Sequence, residues 1–184
     1  PELEYYTGFM HISSSLNTIG VDENSVTHLS SIAWVNSPSY GFLLYPDAAC
    51  YGDQNRPLQQ NFVLNGKLIV DIYYCFLGNI YMGDGAVIEI AENINCDIGD
   101  WSSRQKRSTI DACGNMWRTI KVGEGARLAI HHVDIQNALY GTELLSNSIL
   151  SVNDSEYRNN YIGVRNSESQ NNVVVSSGAD FIFE

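Results

Sequence analysis

The sequence predicts an all-β fold: a parallel β-solenoid of about five short coils, preceded by a β-rich N-terminal cap or subdomain. Three observations point there. Short apolar-alternating segments recur along the chain, as in Ile120, Val122 and then Leu128, Ile130 of "MWRTIKVGEGARLAIHH". Two stretches, "LAIHHVDIQNALYG" (128–141) and "LSVNDSEYRNNYIG" (150–163), align without a gap at a spacing of 22 residues. No long helix-forming run appears. A period in this range is the mark of a stacked repeat, each unit burying its apolar side against its neighbours. An antiparallel sandwich with accidental self-similarity is the alternative.

Residues 1–60 fit the repeat badly. "LEYYTGFMHI", "VTHLSSIAWV" and "YGFLLYP" each read as strands, separated by the loops "NSPSYG" and "YPDAACYGDQNRP". A solenoid end exposes apolar rungs and unpaired backbone, so this segment is expected to be a cap or a subdomain that contacts a neighbour. The coils then run over 61–184, starting with "FVLNGKLIV" (62–70). Within the 22-residue alignment, Leu128, Ile130, Ile135, Asn137 and Gly141 match Leu150, Val152, Tyr157, Asn159 and Gly163. Alternation sends Leu128, Ile130, Val133 and Ile135 inward and Ala129 and Asp134 outward. Gly123, Gly125, Gly141 and Gly163 are expected to supply unusual corner angles. Asn137 above Asn159 suggests a ladder of turn amides. The last unit runs through "NVVVSSGADFIFE", and its apolar end is expected to stack on something, in a longer parent protein or an oligomer. An opening on Pro1 with no signal peptide reads as a processed product or an excised fragment.

One coil breaks the period. "IYMGDGAVIEI" (80–90) resembles "IKVGEGARLAI" (120–130), with five of eleven positions identical, yet Ile80 and Ile120 are nearly two regular periods apart. The surplus over one period equals the length of the segment from Cys96 through Cys113. That segment reads as an excursion loop pinched by a Cys96–Cys113 disulfide, a closure that would stabilise by about 3 kcal/mol. Cys50 with Cys75 is the second pairing expected. No CxxC pair points to zinc, and an even count in an Asn- and Ser-rich acidic chain suggests an oxidising compartment. Four buried thiols are the alternative.

The succession "FVLNGKLIVDIYY", "IYMGDGAVIEI", "CGNMWRTIKVGEGARLAI" and "IQNALYG" resembles secreted right-handed parallel β-helix repeat proteins, with Cys113 to Trp117 the most distinctive part. Such modules are common in large extracellular proteins of Bacteroidota-type bacteria, often exported by the type IX system. The resemblance covers about 62–184. It implies a right-handed coil and an extracellular or cell-surface location, often within adhesive proteins.

Composition bounds the function. With 10 basic against 21 acidic residues and a net charge of -11, the chain lacks the clustered cations that phosphate neutralisation needs, so nucleic acid is not an expected partner. No apolar stretch is long enough to span a membrane. Asp134 and Glu156 lie 22 residues apart on an outward face, and Asp180 extends the row if the last coil gains two residues. Stacked carboxylates repel unless a cation bridges them, so calcium is the one metal considered, against a solvated acidic face. His131 and His132 read as corner residues. The "RQKR" run offers Arg104, Lys106 and Arg107 on the excursion loop, with Trp101 able to stack on a sugar ring. Trp117 is expected to pack that loop onto the coil.

Carbohydrate-active β-helices need paired carboxylates on one face, or a calcium cluster with a basic residue. Asp134 and Glu156 beside Lys121 and Arg127 form the only such cluster, and it is sparse. No catalytic residue is assigned. The expected role is a non-catalytic structural or adhesive module that self-associates, meets other surface-protein subunits or binds glycans. A polysaccharide lyase or glycoside hydrolase is the alternative. Fold alone decides neither.

Overall fold

A computed structural model describes residues 17–32, 61–99, 107–167 and 171–182. Strands follow one another around a three-sided coil. The first rung has β1 (Asn17–Ile19) and β2 (Val26–His28), followed by a single 3-10 turn at Leu29–Ser31. The next has β3 (Phe62–Leu64), β4 (Lys67–Val70) and β5 (Tyr74–Phe76). Then come β6 (Ile80–Met82), β7 (Val87–Ile90) and β8 (Asn95–Gly99), and β9 (Ser108–Ala112), β10 (Trp117–Val122) and β11 (Arg127–His131). The fifth rung is β12 (Val133–Gln136), β13 (Ala138–Leu144) and β14 (Ile149–Asn153); the sixth is β15 (Glu156–Arg158), β16 (Ile162–Asn166) and β17 (Val173–Ser177). β18 (Asp180–Ile182) begins a seventh. Every pairing is parallel, and the strands form three sheets: β1-β3-β6-β9-β12-β15-β18 on the first face, β2-β4-β7-β10-β13-β16 on the second and β5-β8-β11-β14-β17 on the third. The chain is a parallel β-helix, with five complete coils among the described residues.

The register explains why these residues form these strands. Leu128 lies opposite Leu150 and Ile130 opposite Val152 in the third sheet, as the 22-residue alignment requires. Inward columns run through the stack: Phe62, Ile80, Ile110, Ile135 and Tyr157 on the first face, and Leu68, Ile88 and Ile120 on the second. Nearly all are closed to solvent. Burying each such side chain is worth about 1.5–3 kcal/mol. Outward Ala129 is also buried, between Asp97 and Ser151 in its column.

Corners are set by residues with left-handed backbone. His132, Asp154 and Gly178 mark the turn from the third face to the first, Asn137 and Asn159 the turn from the first to the second, and Asn93, Gly125, Asn147 and Asn171 the turn from the second to the third. Asparagine and aspartate tolerate this region because their side chains replace lost backbone partners. Asn147 accepts from the Asn171 amide at 3.3 Å, so an amide ladder is present at this corner. At the expected position, Asn137 and Asn159 share the left-handed backbone, but the Asn137 amide donates to Asp111 instead. Of the four glycines expected to supply corner angles, only Gly125 has a positive φ. The others are needed for space: a Cβ on Gly141 would sit 2.7 Å from the Tyr157 ring, and one on Gly163 2.7 Å from the Phe181 ring. Those two rings stack at 4.9 Å.

Three expectations are corrected. The first is the boundary at residue 60. β1 and β2 lie inside the segment read as a cap, yet they pair with β3 and β4 as a regular rung. The strand expected at "VTHLSSIAWV" is β2; those at "LEYYTGFMHI" and "YGFLLYP" lie outside the described residues. The second is the match of Ile80 to Ile120. Ile80 stacks on Ile110, while Ile120 stacks on Ile88. The two similar peptides turn different corners, so the surplus was measured between unlike faces. The third is the Cys96–Cys113 disulfide: both thiols are free. Cys96 is a strand residue, fully buried in the inward column between Tyr74 and Leu128. Cys113 follows β9 at another corner, where its N–H donates to Met82 O. The expected bounds of 96 and 113 therefore do not hold: β8 runs on to Gly99 and β9 begins at Ser108, and residues 100–106 lie outside the described residues. Cys75, in the middle of β5, is disulfide-bonded. Cys50, its expected partner, lies outside the described residues.

If the glycine at 141 makes room for the neighbouring ring, Gly141→Ala should lower unfolding free energy by about 1–3 kcal/mol in urea titration. An unchanged midpoint would contradict this packing.

Candidate functional site

The outward side of the first sheet holds the acidic row that the sequence singles out. Asp134 stacks on Glu156 and Glu156 on Asp180, so the last coil does gain two residues. Parallel stacking places these carboxylates about one strand spacing apart, about 4.8 Å. Arginines relieve much of the repulsion. Arg107 contacts Asp134 at 2.6 Å and Glu156 at 3.4 Å, and Arg158 contacts Glu156 at 2.5 Å. The Arg107 guanidinium therefore holds the position between Asp134 and Glu156 at which a bridging calcium was weighed against a solvated acidic face. Among the described residues no three His, Cys, Asp or Glu side chains are grouped to hold a metal ion. Arg107 sits at the base of the excursion loop and is an ion-pair partner rather than part of a free basic tip. Trp101, Arg104 and Lys106 lie outside the described residues.

A second set of charges was missed at sequence level. On the outer side of the second sheet, Glu89, Lys121, Glu143 and Arg165 fall in one register column. Lys67 and Lys121 reach Glu89 at 2.6 and 3.8 Å, and Arg165 reaches Glu143 at 3.8 Å while lying over the Tyr140 ring. Lys121, Glu143 and Arg165 are spaced by 22, which is the signal that would have revealed them. Lys121 thus belongs to this face and not beside Asp134, which removes it from the cluster considered for catalysis.

Polar groups inside the stack are tied together across coils. Asn160 accepts from Ala138 N–H at 2.8 Å and donates to Ile135 O at 2.9 Å. Tyr157 and Thr142 hydroxyls share a bond of 2.9 Å. Trp117 is fully buried, and its Nε1–H donates to Gln136 O at 2.7 Å, fastening the corner after β9 to the next coil. Asp84 accepts from both the backbone and the side chain of Asn115 at that corner.

The titratable groups suit structure better than chemistry. Burial pushes the Cys96 thiol well up, and burial with Asp111 and Asp84 nearby raises Cys113 to about 11, so neither is a ready nucleophile. Burial also raises Asp97, partly offset by a hydrogen bond from the Tyr73 hydroxyl at 2.8 Å and by Arg127. For Asp71, burial works upward, but Ser30 and His28 hydrogen bonds outweigh it and hold the carboxyl low. His132 occupies a corner as expected, whereas His131 is buried, with Asn153 Nδ2 at 3.1 Å from its Nδ1. An open depression on the first rung is lined by Thr18, Val26, Asn65 and neighbours, and its Ser25 hydroxyl is engaged by the Val21 and Asp22 amides.

No helix among the described residues is long and apolar enough to cross a membrane. No protein-family model, curated protein or solved structure matches the chain.

Burial, then the neighbouring His132 and Arg127, lower His131 to about 4 from its ordinary 6.5. A lowered histidine is neutral when folded and protonates more readily when unfolded, so its stability contribution is complete above pH 6.5 and lost as pH falls towards 4. Thermal midpoints should fall across that window, and fall less in His131→Asn. Equal pH slopes for the two proteins would contradict this assignment.

Proposed function

We propose that the chain is a non-catalytic structural module, a rigid β-helix segment of an extracellular or cell-surface protein that assembles or adheres through its loops and ends. The observation that most supports this reading is the mutual neutralisation of outward charges. Arg107 and Arg158 occupy Asp134 and Glu156, and the Lys67, Glu89, Lys121, Glu143 and Arg165 set pairs along the axis. Catalysis needs groups that converge on a substrate and hold unlike protonation states. Ion pairs between successive coils instead lock register and stiffen the stack.

The disulfide at Cys75 supports an oxidising compartment, and Cys50 is the partner we assign to it. The resemblance to secreted right-handed β-helix repeat proteins adds the location. Glycan contact is assigned to the excursion loop, through Trp101 and the basic residues Arg104 and Lys106. Calcium has no assigned role in this reading.

One observation favours the carbohydrate-active reading: Asp111, Asp134 and Glu156 all lie on the outward side of successive strands of one sheet. Incubation with a panel of neutral and anionic polysaccharides decides between the two. The structural reading expects neither reducing ends nor unsaturated products above background. Turnover that vanishes in a folded Asp134→Ala variant would replace it with the enzyme.

A further inference from the structure

We propose that Asn65–Gly66 is a self-modification site: the corner between β3 and β4 converts spontaneously from asparagine to aspartate and isoaspartate, and the longer backbone of the isoaspartate form puts this corner of the stack out of register. The site needs only this corner and does not depend on what the module binds.

Asn65 is the one asparagine of the chain that precedes a glycine. Asn93, Asn137, Asn147, Asn159 and Asn171, at the left-handed corners, all precede residues with side chains. Such a side chain crowds a ring that closes through its own backbone nitrogen, and glycine leaves that path open. The fold itself demands the glycine. Gly66 has φ +72°, and a Cβ on it would lie 2.4 Å from Ser25 O and 2.7 Å from Asp22 O. Close stacking of this corner on the turn between β1 and β2 therefore fixes glycine behind Asn65.

The reacting groups are not tied up. Asn65 is half-buried, and its carboxamide makes no hydrogen bond to another described residue. The Gly66 N–H donates to no carbonyl among the described residues. Corner amides elsewhere are held: Asn137 donates to Asp111 at 2.7 Å, and Asn171 to Asn147 at 3.3 Å.

The chemistry needs only water. The Gly66 nitrogen attacks Asn65 Cγ, a C–N bond forms, and the carboxamide C–N bond breaks. The proton leaves the Gly66 nitrogen and, through water, departs with the ammonia. Water then adds to one of the two carbonyls of the succinimide ring. One opening gives aspartate. The other gives isoaspartate, whose main chain runs through the former side chain and is one atom longer.

Backbone hydrogen bonds fix the chain on both sides of this point. Asn65 N–H donates to Ile19 O at 2.8 Å, and Lys67 N–H to Ser25 O at 2.7 Å, both on the first rung. Leu64 O accepts from Gly83 N–H at 2.8 Å, and Gly66 O from Val87 N–H at 2.9 Å, both on the third. An extra backbone atom among these four bonds cannot keep every partner in register.

Peptide mapping with enzymatic isoaspartate labelling, after incubation of the full chain at mildly alkaline pH, tests the site. Conversion at Asn65 should run within about tenfold of its rate in the urea-unfolded chain, because no opening of the corner is required. It should outpace every other asparagine by about tenfold or more. Hydrogen exchange in the isoaspartate form should speed about tenfold or more at the Lys67, Gly83 and Val87 amides. Asn65→Asp carries the charge without the extra atom and should exchange as the fresh protein does. Conversion confined to the unfolded chain, conversion spread evenly over the asparagines, or an isoaspartate form that exchanges like Asn65→Asp would overturn the proposal.

Discussion

Parallel, in-register stacking is the constraint on which everything else depends. A strand alternates its side chains between two faces, and the next coil sits one strand spacing above it. Each inward position must therefore be apolar in every coil, or polar with a partner inside the stack, as Thr142 is with Tyr157, or its column fails. Phe62, Ile80, Ile110, Ile135 and Tyr157 meet that demand on the first face. The same rule acts outward, where each charge faces the charge of the coils above and below. Alternating sign from Glu89 to Arg165, and Arg107 laid between Asp134 and Glu156, answer it. Corners complete the scheme, because a left-handed residue at a fixed place lets the chain turn without shifting register.

The same constraint explains what could be read from the sequence. Between 128 and 163 the coil length is constant, so identical spacing coincides with identical register, and Leu128 over Leu150 was legible. Elsewhere the coil length varies while the sheets persist. The steps from Leu64 to Met82 and from Leu68 to Ile88 fall short of the regular period, and the step from Ile88 to Ile120 overshoots it. Length lives in the corners, and corners tolerate insertion, so a search for one period loses the early coils. The first rung was hidden for this reason, since Thr27 reaches its partner Leu68 only after nearly two regular periods. The misplacement of Ile80 over Ile120 has a different origin. Strand, glycine turn, strand describes any corner of this solenoid, and local similarity does not say which corner.

The cysteine error follows from that one. A loop length taken between unlike faces agreed by coincidence with the Cys96 to Cys113 interval. Cys96 behaves as a small apolar residue in a column that needs one. The acidic row was placed correctly, down to the extra residues before Asp180, but its cations were not, because Arg107 is delivered from the loop base and not by the period. The second-face charge column could have been seen, since three of its members keep the 22-residue spacing. Side chains that neutralise one another along an axis build a stiff surface, which suits a scaffold better than a pocket.

The segment "IKVGEGARLAI" could form a hairpin or a coil corner, and the choice between them gives the most direct test. Interstrand nuclear Overhauser contacts in the deuterated protein distinguish the two. The coil predicts parallel-type contacts between Leu128 and Leu150 and between Ile120 and Thr142, with none across β10 and β11. Antiparallel contacts joining Val122 to Arg127 and Ile120 to Ala129 would show a hairpin and contradict the solenoid.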